Sequence, residues 1–356
     1  MLHFSLQTKL QLKSLKINKK INSTHTIPKG FDSMCTAVSY RTKDHYFGRT
    51  LDLEYSFEER IVITPRNFQF KFKHIKEIKN HYAIIGMATV VDNYPLYYDA
   101  VNEQGLCIAG LNFPDYCIYH DCCDENDNLA SYELIPYILS NCKNVNEAKQ
   151  LLENINITND DFNKDYKSTP LHWMISDKEQ SITVESIDDG LKVYYNPVDI
   201  LTNSPPFPIQ IFNLNNYMSL RTEEPETHFC DNLNLCNYSR GMGALGLPGD
   251  MSSQSRFVRG AFVRLNSVAE KGENESVSQF FHILDSASQP RGVVKVEDKY
   301  VKTIYSSCCN TNKGIYYYTT YENRRISSVN LNNENLDRTC LVVYNLETEQ
   351  SIFNQN

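Results

Sequence analysis

The sequence predicts an α+β protein in which two β-sheets are covered by helices. Three observations lead there. Runs rich in β-branched and aromatic residues, bounded by turn signals, occupy both the early and the late parts of the chain. Amphipathic helical stretches separate them, the pattern expected of stacked sheets with outer helices. The chain has 356 residues, 41% of them hydrophobic and 12% aromatic, enough for a large core. No Gly/Ser/Pro-rich linker or internal repeat divides it, so one domain over residues 35–356 is expected.

Taken in order, Cys35–Tyr40 and Tyr46–Leu53 read as a hairpin. Ile61–Thr64 and Tyr82–Val91 are further β-rich runs, and Leu96–Asn102 and Leu106–Asn112 bracket the turn signal Glu103-Gln104-Gly105. Residues 133–155 read as helical, with Leu134, Ile138, Leu139, Ala148, Leu151 and Leu152 at apolar positions. Pro136 fits such a helix only in its first turn, where its missing N–H is not needed. Strands resume at His172–Ile175, Ser181–Ile187 and Leu191–Tyr195. Helices are expected around Phe212–Leu220, Ser255–Val268 and Val277–Ser286. The chain then returns to strands at Thr303–Cys308, Gly314–Tyr321, Ile326–Asn330 and Cys340–Tyr344.

The formal net charge is -8. Residues 1–34 hold six Lys, one Asp and no Arg, so the body that follows is more acidic still. That balance argues against nucleic-acid binding, which requires a basic footprint. No apolar run approaches the roughly 18 residues of a membrane span. Eleven Cys is an odd number, so at least one is unpaired or pairs between chains. None forms a CxxC pair, and the neighbours Cys122-Cys123 and Cys308-Cys309 suit neither structural zinc spacing nor an easy local disulfide. They read as reduced thiols of a cytoplasmic protein, with a redox or metal role as the lesser alternative. The segment Asp115–Asn128 gathers Cys117, Cys122 and Cys123 in an expected exposed loop, and the sequence offers no reason for it.

The first 34 residues allow three readings. Leu6, Leu10, Ile17 and Ile21 fall near one helical face flanked by Lys9, Lys13, Lys16 and Lys20. A secretory signal needs an uninterrupted apolar stretch of about 7–15 residues, which is missing. A mitochondrial-type presequence fits the basic amphipathic pattern but favours Arg. In the third and favoured reading, translation starts at Met34 and the segment is absent from the mature protein. Lys29-Gly30 must be encoded by AAR-GGN, which resembles a purine-rich ribosome-binding site at a suitable distance from Met34.

Met34-Cys35 gives that reading its chemical weight. Initiator Met is trimmed before a small residue, which would leave Cys35 with a thiol and an α-amine together. The amine, with a reference pKa of roughly 8, is partly unprotonated near neutrality and can serve as the base for its own thiol. Seven segments then follow one another in order: Met34-Cys35-Thr36; Gly48-Arg49-Thr50-Leu51-Asp52; Ile61 to Arg66; Asn102 to Leu106 running into Gly110-Leu111-Asn112-Phe113-Pro114; Leu171-His172-Trp173-Met174-Ile175-Ser176-Asp177; Leu201-Thr202-Asn203-Ser204-Pro205; and Gly246-Leu247-Pro248-Gly249-Asp250 leading to Ser255-Arg256-Phe257. Together they resemble the choloylglycine hydrolase family, whose members include bile salt hydrolases and penicillin V acylases. The resemblance spans residues 34–356.

The resemblance implies the N-terminal nucleophile hydrolase fold, a four-layer αββα sandwich. It also implies hydrolysis of the amide joining a bile acid to glycine or taurine, through a thioester on Cys35. Arg49 would lie beside the thiol, where a cation favours the thiolate, and Asp52 would contact the amine. Asn112 and Asn203 would flank the nucleophile as oxyanion donors, which do not titrate. Arg256 would support the charge network, whereas Arg259 reads as a surface helix residue. Penicillin V acylases typically carry Tyr where this chain has Asn112, which favours the bile salt side.

The apolar substrate wall would include Leu51, Val91, Tyr98, Phe162 and Tyr166. Phe162 and Tyr166 depart from the aliphatic residues frequent there in bile salt hydrolases, which bears on substrate preference. Asn102 reads as a turn residue, and His172 and Trp173 as core. No metal or organic cofactor is needed, because the chain supplies nucleophile, base and oxyanion donors. A homo-oligomer, a tetramer, is implied by the family alone. Two other functions stay open: an acylase for penicillin V or a related N-acyl substrate, and a silent binding protein if residues 1–34 are retained. A processed propeptide is the second route to a bare Cys35, since some relatives in the superfamily expose their nucleophile by cleavage.

Overall fold

The computed structural model describes residues 34–269 and 272–356, so the expectations for residues 1–33 lie outside the described residues. The chain opens with a hairpin, β1 (Met34–Arg41) and β2 (His45–Leu53), followed by β3 (Arg60–Thr64), β4 (Ile84–Val91), β5 (Tyr94–Asn102), β6 (Cys107–Asn112) and β7 (Asp127–Ala130). Two helices follow, α1 (Leu134–Asn141) and α2 (Val145–Leu152). Then come β8 (Ile155–Thr158), β9 (Leu171–Ser176), β10 (Ser181–Ile187), β11 (Gly190–Tyr195) and β12 (Ile200–Leu201). Three helices, α3 (Phe207–Asn213), α4 (Ser253–Asn266) and α5 (Glu273–Asp285), lead into the last strands. These are β13 (Lys295–Val296), β14 (Lys299–Tyr300), β15 (Lys302–Asn310), β16 (Ile315–Thr320), β17 (Ser327–Asn330) and β18 (Val342–Asn345).

Among the described residues, two large sheets form. One has six strands in the order β12-β1-β2-β15-β16-β17, and the other has eight in the order β11-β10-β9-β6-β5-β4-β3-β18. All neighbours within them are antiparallel. Strand alternation distributes side chains between two cores. Ile61 and Ile63 of β3 and Cys107, Ala109 and Leu111 of β6 face the core between the sheets, while Phe257 of α4 and Phe280 and Leu284 of α5 pack against the outer face of the six-stranded sheet. Val62 and Ile108 face the opposite way, onto Leu134 and Ile138 of α1 and Val145 and Ala148 of α2. Both faces of the central strands are therefore dry, and β2 is buried along its whole length. The result is the four-layer αββα arrangement, helix on sheet on sheet on helix.

Gly48 fits where β2 passes β15. A Cβ there would run into the backbone carbonyl of Ser307, so only Gly lets the strands approach.

Some element boundaries differ from expectation. The helix expected over residues 133–155 is two helices. Cys142 is extended, and Asn144 starts α2 by accepting the Glu147 N–H at 3.0 Å. Glu147 reaches back to the Lys143 N–H at 2.8 Å, so the Asn-x-x-Glu signal overrides the continuous apolar periodicity. The helix expected at Phe212–Leu220 starts earlier, at Phe207. Pro206 precedes it and Pro208 lies in its first turn, where proline opens a helix instead of breaking it. The short strands β7, β8, β12, β13 and β14 carry too few residues for a period to show.

Candidate active site

The β1–β2 hairpin positions the residues expected to do the chemistry. Its register sets Met34 opposite Asp52, Cys35 opposite Leu51 and Ala37 opposite Arg49. Positions three apart on a strand point to opposite faces, so Arg49 and Asp52 are not the ordinary surface pair their spacing suggests. Arg49 enters the space between the sheets. Its Nη1 donates to the carbonyls of Tyr98, at 3.1 Å, and of Gly110. Asp52 faces the α4 side, where it accepts the hydroxyls of Thr50 at 3.0 Å and Thr303 at 2.6 Å.

Arg256 comes to this side from the first turns of α4. That helix starts at Ser252, held by the Asp250 carboxylate, which accepts the Ser252 N–H at 3.0 Å and the Ser255 hydroxyl at 2.5 Å. These bonds keep the Asp250 carboxyl down at about 2. The fully buried Arg256 guanidinium donates through Nη1 to the Cys35 carbonyl at 2.6 Å and the Thr36 hydroxyl at 2.8 Å. Its Nη2 donates to Asn203 Oδ1 at 2.8 Å.

Arg cannot accept a hydrogen bond, so this contact sets the orientation of the Asn203 amide. Asn203 Oδ1 also accepts the Cys35 N–H at 2.8 Å, and its Nδ2 donates to the Asn112 carbonyl at 2.8 Å. Asn203 thus presents an acceptor to the Cys35 nitrogen, while its donor is committed to Asn112. The geometry suits orientation of the amine better than the oxyanion role expected from sequence. In the described chain that nitrogen is an amide nitrogen bonded to Met34, a donor without basicity.

Burial dominates the electrostatics. Loss of solvent pushes the Asp52 carboxyl up to about 6, against the opposing pull of Arg256, the two threonine hydroxyls and Arg49. Burial also lowers Arg256, while Asp52 and Cys35 hold its charge in place. For Arg49 burial pulls downward, but the electrostatic influence of Cys35, Tyr305, Asp99 and Asp52 outweighs it and the guanidinium ends above its ordinary value.

Asp99 was not anticipated. It lies on β5, buried, and accepts the Tyr305 hydroxyl at 2.7 Å, the Tyr316 hydroxyl at 2.6 Å and the Ser307 hydroxyl at 3.1 Å. Burial raises its carboxyl and the charge of Arg49 opposes that rise. A carboxylate inside the apolar run Tyr97-Tyr98-Asp99-Ala100-Val101 was the available signal, since such a residue stays buried only with partners.

His172 and Trp173 are fully buried, as expected of core residues, yet His172 does more than fill space. It stacks on Phe113 with ring centres 4.4 Å apart and donates from Nε2 to the Thr202 carbonyl at 2.8 Å. Its Nδ1 faces Glu185, which accepts the Phe207 N–H at 2.9 Å. The pair therefore holds the chain on both sides of Asn203. Asn102 is structural: Nδ2 donates to the carbonyls of Leu139 and Cys142, and Oδ1 accepts the N–H groups of Gln104 and Leu106. Arg259, expected at the surface, ties the Pro248 carbonyl to the Ser286 carbonyl at the end of α5.

The five residues expected to form the substrate wall fall in different places. Leu51 lies opposite Cys35, and Tyr98 gives its carbonyl to Arg49 while its hydroxyl bonds Thr89 at 2.9 Å. Tyr166 lines a cleft of about 340 Å³ with Phe57, Thr89 and Val90. Val91 ends β4 beside it. Phe162 instead packs among Tyr94 and Tyr132, at centroid distances of 5.6 and 5.2 Å. A larger cleft, about 550 Å³, is bordered by Glu54, Glu59, Lys302 and Tyr321 and by none of the eleven expected site residues. With Met34 in place, Cys35 is wholly buried.

Two antiparallel sheets stacked between helix layers, with Cys35 near the start of the first strand and amide and guanidinium groups around its nitrogen and carbonyl, form the N-terminal nucleophile hydrolase fold. The family model for linear amide C–N hydrolases of the choloylglycine hydrolase family matches residues 35–344. A bile salt hydrolase/transferase of Lactiplantibacillus plantarum is 49% identical over 324 residues, covering 91% of this chain and 100% of the relative. A bile salt hydrolase/transferase of Clostridium perfringens is 40% identical over 329 residues, again 91% and 100%. The crystal structure of a variant conjugated bile acid hydrolase from Clostridium perfringens superposes with a TM-score of 0.84 at 39% identity, covering 90% of this chain and 100% of that one. A penicillin V acylase from Agrobacterium tumefaciens shares the fold, with a TM-score of 0.71 at 18% identity over 88% of this chain and 92% of that one. This chain belongs to the choloylglycine hydrolase family.

Proposed function

We propose that the protein hydrolyses the amide of glycine- or taurine-conjugated bile salts, with Cys35 as nucleophile. The observation that carries the reading is the setting of Cys35, with Asn203 on its nitrogen, Arg256 on its carbonyl and Arg49 beside it, Asp52 next to Arg256 and Asn112 bonded to Asn203, in a chain whose relatives are named for bile salts. Removal of residues 1–34 converts the Cys35 nitrogen into an amine that Asn203 Oδ1 already accepts from. The family match beginning at residue 35 supports that start.

The amine takes the thiol proton, and the sulfur attacks the substrate carbonyl. Asn112 stabilises the oxyanion that forms. As the tetrahedral species collapses, the C–N bond breaks and the amine's extra proton leaves with glycine or taurine. Water then adds to the thioester, giving the free bile acid and the thiol. A second amine could take the acyl group in place of water, in keeping with the word transferase in the names of two relatives.

Cytoplasmic residence fits the unbridged thiols after Cys35. No helix among the described residues is long and apolar enough to cross a membrane. A homotetramer is what the family resemblance implies, and contact between copies would give cover to exposed apolar side chains such as Phe229 and Tyr238. Amino-acid release from glycine and taurine conjugates, measured beside penicillin V turnover on protein that begins at Cys35, tests the substrate. Release from the conjugates is expected to dominate, and turnover of penicillin V alone would reject the assignment.

A further inference from the structure

Outside the active site, three side chains from three separate loops converge. His74 comes from the β3–β4 connection, Cys122 from the β6–β7 connection and Asp160 from the β8–β9 connection. Their ligand atoms all lie within 4.8 Å of one another. His74 Nε2 is 2.7 Å from Asp160 Oδ2 and 3.7 Å from Cys122 Sγ.

The residue types invite comparison with a Cys–His–Asp relay, but the geometry excludes it. In a relay the thiol and the carboxylate sit on opposite ring nitrogens. Here both address the same Nε2, so sulfur, nitrogen and oxygen face one common point. From this we infer that His74, Cys122 and Asp160 form a binding site for a zinc-class divalent transition metal, with the remaining coordination filled by solvent.

The donor set decides the class of ion. Thiolate and imidazole suit zinc and its neighbours, whereas calcium and magnesium want oxygen ligands throughout. The sulfur position is held in advance. Asn128 accepts the Cys123 N–H at 3.0 Å and donates to the Cys123 carbonyl at 2.8 Å, and Asn156 donates to the Asp121 carbonyl at 2.9 Å. Cys123 itself is turned away, with its thiol 3.6 Å from Asn126 Oδ1. Thr158 orients the carboxylate through a 2.6 Å hydrogen bond to Asp160 Oδ2, the kind of outer partner that metal ligands carry. The His74 and Asp160 side chains are about one-third exposed, 32% and 31%, so an ion can enter from solvent.

On binding, the Cys122 S–H bond breaks, its proton goes to solvent and the sulfur lone pair forms the bond to the metal. No electron transfer is involved. The site accounts for Cys122, one of the cysteines gathered in Asp115–Asn128 for which the sequence offered no reason. It lies outside the catalytic machinery, so it leaves untouched the expectation that the chemistry needs no metal. Its consequence is mechanical: one ion would tie together three loops, including the one that carries Phe162 and Tyr166.

Cobalt(II), added alone to the full chain, tests the inference. The expected result is one equivalent bound, with a near-ultraviolet thiolate-to-cobalt charge-transfer band that zinc abolishes by displacement. Cys122→Ser should remove the band, His74→Ala and Asp160→Asn should each weaken binding at least about 10-fold, and Cys123→Ser should leave it intact. A band that survives Cys122→Ser would overturn the assignment, because Cys35, Cys230, Cys236 or Cys340 would then be the ligand. Unchanged affinity in both His74→Ala and Asp160→Asn, or failure of wild-type protein to take up cobalt or zinc, would overturn it equally.

Discussion

Replacing Asp52 by Asn should change how stability depends on pH. Asp52 is fully buried, and its carboxyl is pushed from its ordinary value of 3.8 up to about 6 by loss of solvent. Between those two values the folded protein holds a proton that the unfolded chain has released, so stability falls as pH rises. A shift of about two units corresponds to roughly 3 kcal/mol, of which about 2.5 kcal/mol is lost between pH 4 and pH 7. Asn has the same shape and no proton to release. The constant cost of leaving Arg256 without its counter-charge cancels when each protein is compared with itself at the two pH values. The assay is urea unfolding of wild type and Asp52→Asn at pH 4 and pH 7. Wild type should lose about 2–3 kcal/mol more than the variant on going to pH 7. Equal losses would refute the claim that burial outweighs the surrounding hydrogen bonds and guanidinium groups, and a greater loss in the variant would reverse its sign.

Further outcomes follow from the same contacts. Asn203→Leu strips partners from the Cys35 N–H, Arg256 Nη2 and the Asn112 carbonyl together, so it should cost about 3–6 kcal/mol in urea unfolding and abolish amide hydrolysis. Arg256→Lys cannot span the Cys35 carbonyl, Thr36, Asn203 and the Met251 carbonyl at once, and the expected loss is about 3 kcal/mol with hydrolysis reduced at least 100-fold. Asp99→Leu takes a counter-charge from Arg49 and the buried acceptor from two tyrosine hydroxyls, for a cost of about 3–5 kcal/mol, whereas Asp99→Asn retains an acceptor and should cost clearly less by the same measurement.

The layers were legible because alternation along β3, β6 and β9 serves two cores at once, so these strands read as near-continuous apolar runs. The gathering of Cys35, Arg49, Asp52, Asn112, Asn203 and Arg256 was expected from ordered motifs, and the structure brings these residues to one place from β1, β2, β6, the stretch after β12, and α4. What the sequence left hidden was direction. Nothing in Leu-Thr-Asn-Ser-Pro says that the Asn203 oxygen faces Arg256 and the Cys35 nitrogen, because that depends on a helix more than fifty residues later. Asp99 escaped notice because its partners Tyr305 and Tyr316 lie more than two hundred residues away on the other sheet. The break between α1 and α2 is written in Asn144 and Glu147, whose capping bonds prevail over an apolar periodicity that runs on through them. Phe162, expected in the substrate wall, packs with Tyr94 and Tyr132, partners that lie far from it in sequence.

The most direct measurement is mass spectrometry of protein that begins at Cys35, quenched with acid in the first moments of reaction with a glycine-conjugated bile salt. The expected result is an N-terminal peptide starting at Cys35 and carrying the bile acyl group on sulfur, with free glycine released in equal amount. Turnover by protein that retains Met34, or an acyl group found on any other residue, would contradict the assignment of Cys35 as a nucleophile that uses its own amine.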